Sequence, residues 1–466
     1  MKLLHVASRN LQRNRRRSLA TALTIAIGVT ALLLFGGFRA DLIKLMLTGY
    51  VRTTGHMVVQ HKDFFEYGSG NPAQYSMAKA QAIRDALLAQ PDLAARIHVA
   101  TPMLVFPAVA GHAARETSKT VLVNGLVPDD QSRMRTWNYY GVRMPSTEHP
   151  LAHKPANSAL LGLGVARMLQ VCSALAETKA CGAATAPAAA GGAVNNDLLD
   201  LAENEHAGTR GKASAPPDRA IEILAATTRG VPNVQTFDVI GAEGQGFKEM
   251  DDAYVIVGYE AARSLLFGRG ATQATSINVQ LNNPADLPWA MQRASAVLAS
   301  AFPSDPLAVR SVHEVIPFID QTISMFNTIF GFIAMLIVAV VMFTTANTVS
   351  TSILERTTEI GTIRALGLLR SVVLQLFLTE AMMLALAGSV LGIGVSVLLE
   401  TLINALQLTW RPPGGAQDMP LTVSVFREVA MVCGVLALSV VFATLAAVPA
   451  ALKASRLKIV DALRYT

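Results

Sequence analysis

The sequence predicts a membrane protein: four transmembrane helices with a large α+β extracytoplasmic domain between the first and the second. Three observations carry this prediction. Of 466 residues, 52% are hydrophobic and only 15% charged, against about 25% charged in ordinary soluble domains, so part of the chain must face lipid. Four apolar segments reach the roughly 20 residues that a helix needs to cross a bilayer. Between the first two, residues 39–320 alternate strand-like runs with helical patterns, as a folded water-soluble domain does.

Residues 1–17 are a basic N-terminus with Lys2, Arg9, Arg13, Arg15, Arg16 and Arg17 and no acid. Residues 18–38, SLATALTIAIGVTALLLFGGF, carry no charge and form the first transmembrane helix. A signal peptide is the rival reading, but its apolar region usually runs only about 7–15 residues. No small-residue cleavage site follows either, so a retained anchor is expected. Basic residues recur at Arg356, Arg364 and Arg370, and at Lys453, Arg456, Lys458 and Arg464, whereas residues 400–428 hold only Arg411 and Arg427. The positive-inside rule then puts both termini and the 355–370 loop in the cytoplasm, and residues 39–320 and 400–428 outside. The net charge of +6 is explained by this topology, and no nucleic-acid partner is expected.

Within residues 39–320, β-branched runs at 56–60, 120–127, 221–228, 236–241, 253–258 and 276–281 read as strands. Apolar spacing at 73–90, 158–171, 259–268 and 287–302 reads as helices. Residues 172–218 interrupt the pattern with ATAPAAAGGA and GTRGKASAPPD, an Ala/Gly/Pro-rich flexible insertion. Cys172 and Cys181 bracket its start. In an oxidising compartment they pair in a short-loop disulfide, and otherwise they stay two free thiols; either role is structural. Cys433 reads as an apolar filler of the fourth span.

Residues 321–354 are an uncharged run of 34. As one helix they would extend about 51 Å at 1.5 Å per residue, beyond a hydrocarbon core of about 30 Å. A long transmembrane and stalk helix is therefore expected, with an ordinary span between irregular flanks as the alternative. Residues 371–399 form the third span, with Glu380 its one charge and Gly388 and Gly392 as a close-packing pair. A charge inside a span usually faces a bundle interior; the alternative is that Glu380 snorkels to the interface. Residues 429–452 form the uncharged fourth span, followed by a cytoplasmic tail, 453–466.

Residues 355–367, ERTTEIGTIRALG, open the loop at 355–370. Acids lead, and Arg364 and Gly367 close it, the polarity that suits a short helix. Ile360, Ile363 and Leu366 are placed on one face, so the helix can lie along the membrane and offer an apolar knob beside charges. The alternative is a basic turn that only fixes topology. Elsewhere catalytic patterns fail. GTRGKAS at 208–214 has His206 and Ala213 where a phosphate loop needs Gly and Ser or Thr. GLGVAR at 162–167 lacks the third glycine of a dinucleotide fingerprint. His56, His61 and Asp63 are read as surface residues rather than a metal site, because the histidines fall on opposite faces of a strand. No catalytic, cofactor or metal site is expected.

ERTTEIGTIRALG resembles the loop after the second span of MacB-like, FtsX-domain ABC transporter permeases, the family that includes the lipoprotein-releasing LolC and LolE. RNLQRNRRRSLATALTIAIGVTALLL is similar to that family's basic start and first span. LTEAMMLALAGSVLGIGVSVLL, with Glu380, Gly388 and Gly392, is similar to its third span, and AAVPAALKASRLKIVDALRY to its C-terminal signature, although Lys458 and Ile459 replace the usual proline. TFDVIGAEGQGFKEMDDAYVIVGYEAARSLL resembles the outer domain. The resemblance implies a MacB-type (type VII) permease in the inner membrane, without its own ATPase motifs. It also implies a separate ABC ATPase that binds ATP and Mg, a second permease copy or homologue, membrane lipids, and a periplasmic adaptor or acceptor. The implied ATPase-coupling set is Glu355, Arg356, Glu359, Ile360, Ile363, Arg364, Leu366 and Gly367. The implied activity is ATP-driven motion of the outer domain that exports or extracts a lipoprotein, lipid or other amphipathic substrate. The alternative is an FtsX-like transmitter that regulates an outer enzyme.

Overall fold

The structure, a computed structural model, describes residues 2–13, 15–68, 70–172, 175, 218–227, 231–244, 248–268, 273–367, 369–411 and 418–456. The chain divides into a helical unit of residues 1–46, 318–410 and 420–466 and a sheet-rich unit of residues 47–317 and 411–419.

Among the described residues, four helices are long and apolar enough to cross a membrane: Arg15–Thr54, Phe318–Glu355, Arg370–Ala405 and Val429–Ser455. All four outrun the apolar stretches that mark them in sequence. Residues 39–48 contain neither Gly nor Pro, so nothing local stops the first helix at the end of its apolar run. Its stop comes at Gly55, which sits at φ +83° and whose Cβ position lies 2.6 Å from the Val279 carbonyl oxygen, leaving room only for glycine. The second helix has 38 residues, roughly 57 Å at 1.5 Å per residue. Two apolar cores hold the helical unit. One gathers Ile25, Val29, Leu33, Val341, Ala385 and Ala443; the other gathers Val349, Ile353, Val373, Phe377, Ala447 and Ala451.

Among the described residues the sheet-rich unit has nine strands: β1 Met57–His61, β2 Ile97–His112, β3 Thr117–Leu126, β4 Ser158–Gly162, β5 Ala220–Ala226, β6 Pro232–Glu243, β7 Tyr254–Gly258, β8 Ser276–Leu281 and β9 Leu307–Ser311. They are ordered β3-β7-β4-β6-β5-β2-β8-β1-β9, and β3 pairs back onto β2. Sixteen-residue β2 therefore serves two sheets. Its first half joins β8, β1 and β9 in an antiparallel layer, on which the helices Ala80–Leu88 and Leu287–Ala301 pack through Ile83, Leu87, Ala290 and Ala294. In sequence this layer reads β-α-β, then β-α-β, with strand order 4-1-3-2, the interlocked split-βαβ arrangement. The second half of β2 closes a six-stranded ring with β3, β7, β4, β6 and β5, filled by Phe106, Val123, Leu161, Ile223 and Phe237.

Two local readings change, and strands β2 and β9 have no counterpart among the runs read from sequence. Residues 158–171, read as one helix, are strand β4 followed by the helix Leu163–Met168. Buried on both faces, a short apolar strand lacks the alternation that would mark it. The helix expected over 73–90 forms only at Ala80–Leu88, because Met77 bridges Ala274. Strand β2 carries Pro102 and Pro107, residues that argue against a central strand. Most of the insertion and the tail from residue 457, with Lys458 and Arg464, lie outside the described residues. So does Cys181, and with it the expected pairing with Cys172, which packs against the barrel core.

Candidate functional site

The second long helix ends at Glu355, and Arg356 leaves helical geometry (φ −112°, ψ 15°) before a new helix, Thr357–Ala365, begins. Thr357 Oγ1 donates to the Ile353 and Leu354 carbonyls, both at 3.0 Å, satisfying groups freed by the break. Glu359 stands in the first turn and Arg364 in the last, each favourable to the helix dipole. Gly367 at φ +97° stops the helix, and its N–H reaches the Arg364 carbonyl at 3.0 Å.

The eight residues expected to form one contact surface divide. Leu366 is 83% exposed, and Glu355, Glu359 and Gly367 are exposed with it. Arg364 is half-buried, and the side chain of Ile363 lies outside the described set. Ile360 is buried among Val349, Ile353, Phe377 and Ala451. Ile360 and Leu366 thus point to different sides, because six residues at 3.6 per turn separate them by about 120°. Arg356 also turns inward. Ile360 and Arg356 are therefore corrected: in this structure neither presents its side chain to a partner.

Arg356 instead anchors a buried polar group. Its Nη1 donates to Glu380 Oε1 at 3.2 Å, with both side chains 7% exposed. Its Nη2 donates to the Asn10 carbonyl at 3.2 Å. Asn10 Nδ2 donates to Glu380 Oε1 at 2.7 Å. Glu380 therefore faces the bundle interior and does not snorkel. Removing one partner of such a pair costs about 3–5 kcal/mol, because it leaves an uncompensated buried charge. Two exposed ion pairs flank the group, Arg17–Glu355 at 2.6 Å and Arg13–Glu359 at 2.5 Å, each worth only about 0–1 kcal/mol. The basic N-terminal segment, whose first helix is Lys2–Arg13, is thus bonded to the 355–359 stretch. No sequence pattern signals Asn10. Arg13 and Arg17 read there only as topology markers.

Gly388 and Gly392 lie against the first helix. A Cβ at 388 would sit 2.8 Å from the Ala22 carbonyl oxygen, and one at 392 would sit 2.7 Å from that of Ala26. Thr30 Oγ1 donates to the Gly392 carbonyl at 3.1 Å. The segment before the fourth helix is pinned by Asn404, which both donates to and accepts from the Val423 backbone. Glu400 adds an acceptor for the Phe426 N–H at 3.0 Å.

In the sheet-rich unit, the last turns of the first helix are fixed by polar contacts that the sequence reading missed. Buried Arg52 donates to the Trp137 and Pro145 carbonyls at 2.7 and 2.9 Å. Gln131 and Gln280 donate to the Arg52 and Val51 carbonyls at 2.7 and 3.0 Å. His56, expected at the surface, is buried. Its Nδ1 accepts from the Leu281 N–H at 2.9 Å and its ring meets Trp137 edge-on. Burial, with a smaller push from His313, lowers its pKa to about 4. Among the described residues, no cluster of three or more His, Cys, Asp or Glu is placed to hold a metal ion. GTRGKAS at 208–214 lies outside them.

Residues 331–459, from the second helix through the fourth, match the family described as FtsX-like permease C-terminal. The chain is 24% identical over 241 residues to the ABC transporter permease YknZ of Bacillus subtilis, covering 50% of this chain and 55% of that one. It is 29% identical over 159 residues to the macrolide export ATP-binding/permease protein MacB of Bordetella avium, covering 34% of this chain and 24% of that one. These matches span about half or less of the relatives' length. Among solved structures, the periplasmic region of MacB from Actinobacillus actinomycetemcomitans aligns at TM-score 0.32 and 11% identity, covering 58% of this chain and 95% of that one. Residues 331–459 thus match the FtsX-like permease domain, and parts of the chain are similar in sequence to ABC transporter permeases, MacB among them.

Proposed function

We propose that this chain is the permease subunit of an ABC transporter. A separate ATPase that binds ATP and Mg docks on residues 355–370, and its hydrolysis moves the permease to export or extract an amphipathic substrate, a lipid or lipoprotein, from the outer face of the membrane. The single observation behind this reading is the short helix Thr357–Ala365 between two spanning helices, with Leu366 83% exposed and Glu355 and Glu359 exposed on the same segment. An exposed leucine on a short segment that also carries charges has the character of an interface anchor with a polar rim. Leu366 and Ile363 are the anchors in this reading, and Glu355, Glu359 and Arg364 set the register. Buried Arg356 and Ile360 support the segment from behind.

Leu366→Asp tests it. Loss of one anchor costs on the order of 2 kcal/mol, about thirtyfold in affinity. Co-purification of the candidate ATPase should fall accordingly, with ATP turnover in nanodiscs falling alongside. If the variant inserts normally and retains both at the unmutated level, the segment is only a topological turn.

A further inference from the structure

We propose that Arg356 is the pivot of the coupling segment. Its buried bonds carry a displacement of that segment into the third long helix and the N-terminal helix, besides the second helix to which it is covalently joined. The proposal rests on the reading of residues 355–370 as the ATPase-facing segment. Arg356 is the residue at which the second helix breaks. The same residue holds Glu380 of the third helix and the backbone of Asn10 in the N-terminal helix, while Asn10 closes the triangle through its own amide on Glu380. Three elements distant in sequence therefore meet at the hinge through one guanidinium.

Burial decides which contacts persist when the segment moves. The Arg13–Glu359 and Arg17–Glu355 pairs stand in solvent, with side-chain exposures of 33–58%, so water can replace either partner at small cost. The Arg356–Glu380 pair cannot open without stranding a charge away from water. The outer pairs exchange, and the inner group stays intact and transmits. Ile360, buried against Phe377 and Ala451, gives the pivot an apolar bearing on the third and fourth helices.

The test uses the full chain in nanodiscs, with and without the candidate ATPase. Without ATPase, Glu380→Gln and Asn10→Ala should each speed amide hydrogen exchange in residues 357–366 at least tenfold. With ATPase, both variants should retain the bound ATPase within twofold while its coupled ATP turnover falls at least tenfold. Exchanging the charges, Arg356→Glu with Glu380→Arg, should recover at least half of that turnover, whereas Arg13→Ala should leave it within twofold. Unchanged exchange and turnover in Glu380→Gln and Asn10→Ala overturn the pivot. So does a loss of turnover in proportion to lost binding, which marks a purely structural contact. If the unmutated chain itself retains no ATPase, the coupling reading fails instead, a result distinct from either.

Discussion

His56 spends one ring nitrogen on the Leu281 N–H and is buried from water, so protonation would place a charge away from water. Its pKa near 4 lies below the roughly 6.5 of an unfolded chain. The unfolded state therefore binds the proton first as pH falls. The stability that neutral His56 provides is complete above about pH 6.5 and is lost as pH drops toward 4. Between pH 7 and 5 the loss is about 2 kcal/mol from this residue alone. His149, lowered to about 3 mainly by burial and further by the nearby Arg135, adds a slope of the same sign. Thermal unfolding followed by tryptophan fluorescence, Trp137 being in ring contact with His56, should show the decline. His56→Asn keeps an acceptor near the Leu281 N–H and should flatten the His56 share. An unchanged pH slope would refute the assignment.

At the scale of elements, the third helix fits the first because two of its positions have no side chain. Gly392→Ala drives a methyl to 2.7 Å from the Ala26 carbonyl oxygen and 2.9 Å from Val29 Cβ. The first of these is backbone and cannot rotate away. Overpacking of this kind costs about 1–3 kcal/mol. Gly394, two residues on, meets nothing within 4 Å, so Gly394→Ala serves as the control. The midpoint of heat-induced loss of the monodisperse chromatographic peak should fall for Gly392→Ala and not for Gly394→Ala. Equal midpoints would show that the 388–392 face is not the packing surface.

For the whole molecule, orientation is the open physical question that the basic residues address. The segments 9–17 and 356–370 carry eight of the sixteen Lys and Arg residues of the helical unit, and arginines resist transfer across a bilayer. An epitope inserted in the exposed turn Ala113–Arg115, between β2 and β3, should be bound by antibody on intact spheroplasts. One appended after Thr466 should be bound only after permeabilisation. The reverse pattern would invert the topology and place residues 355–370 on the side without ATP, removing the proposed coupling.

The sequence by itself determined what depends on local composition. Four apolar runs specify four spanning helices, because lipid forces every backbone polar group to pair within its own segment. Gly367 and the acid-to-base order set the extent of the short helix through its own dipole and stop signal. Most strands of the sheet-rich unit announce themselves by β-branched runs; β4, buried on both faces, proline-bearing β2 and β9, with Val309 its one β-branched residue, do not. Only tertiary structure decided which side of the short helix faces inward, since Ile360 and Leu366 look alike in sequence and differ only in what packs against them. It also decided that Arg356, one arginine among many, meets a glutamate 24 residues on and an asparagine 346 residues back. A buried charge is tolerated only where distant elements supply its partner, and no local pattern encodes that meeting.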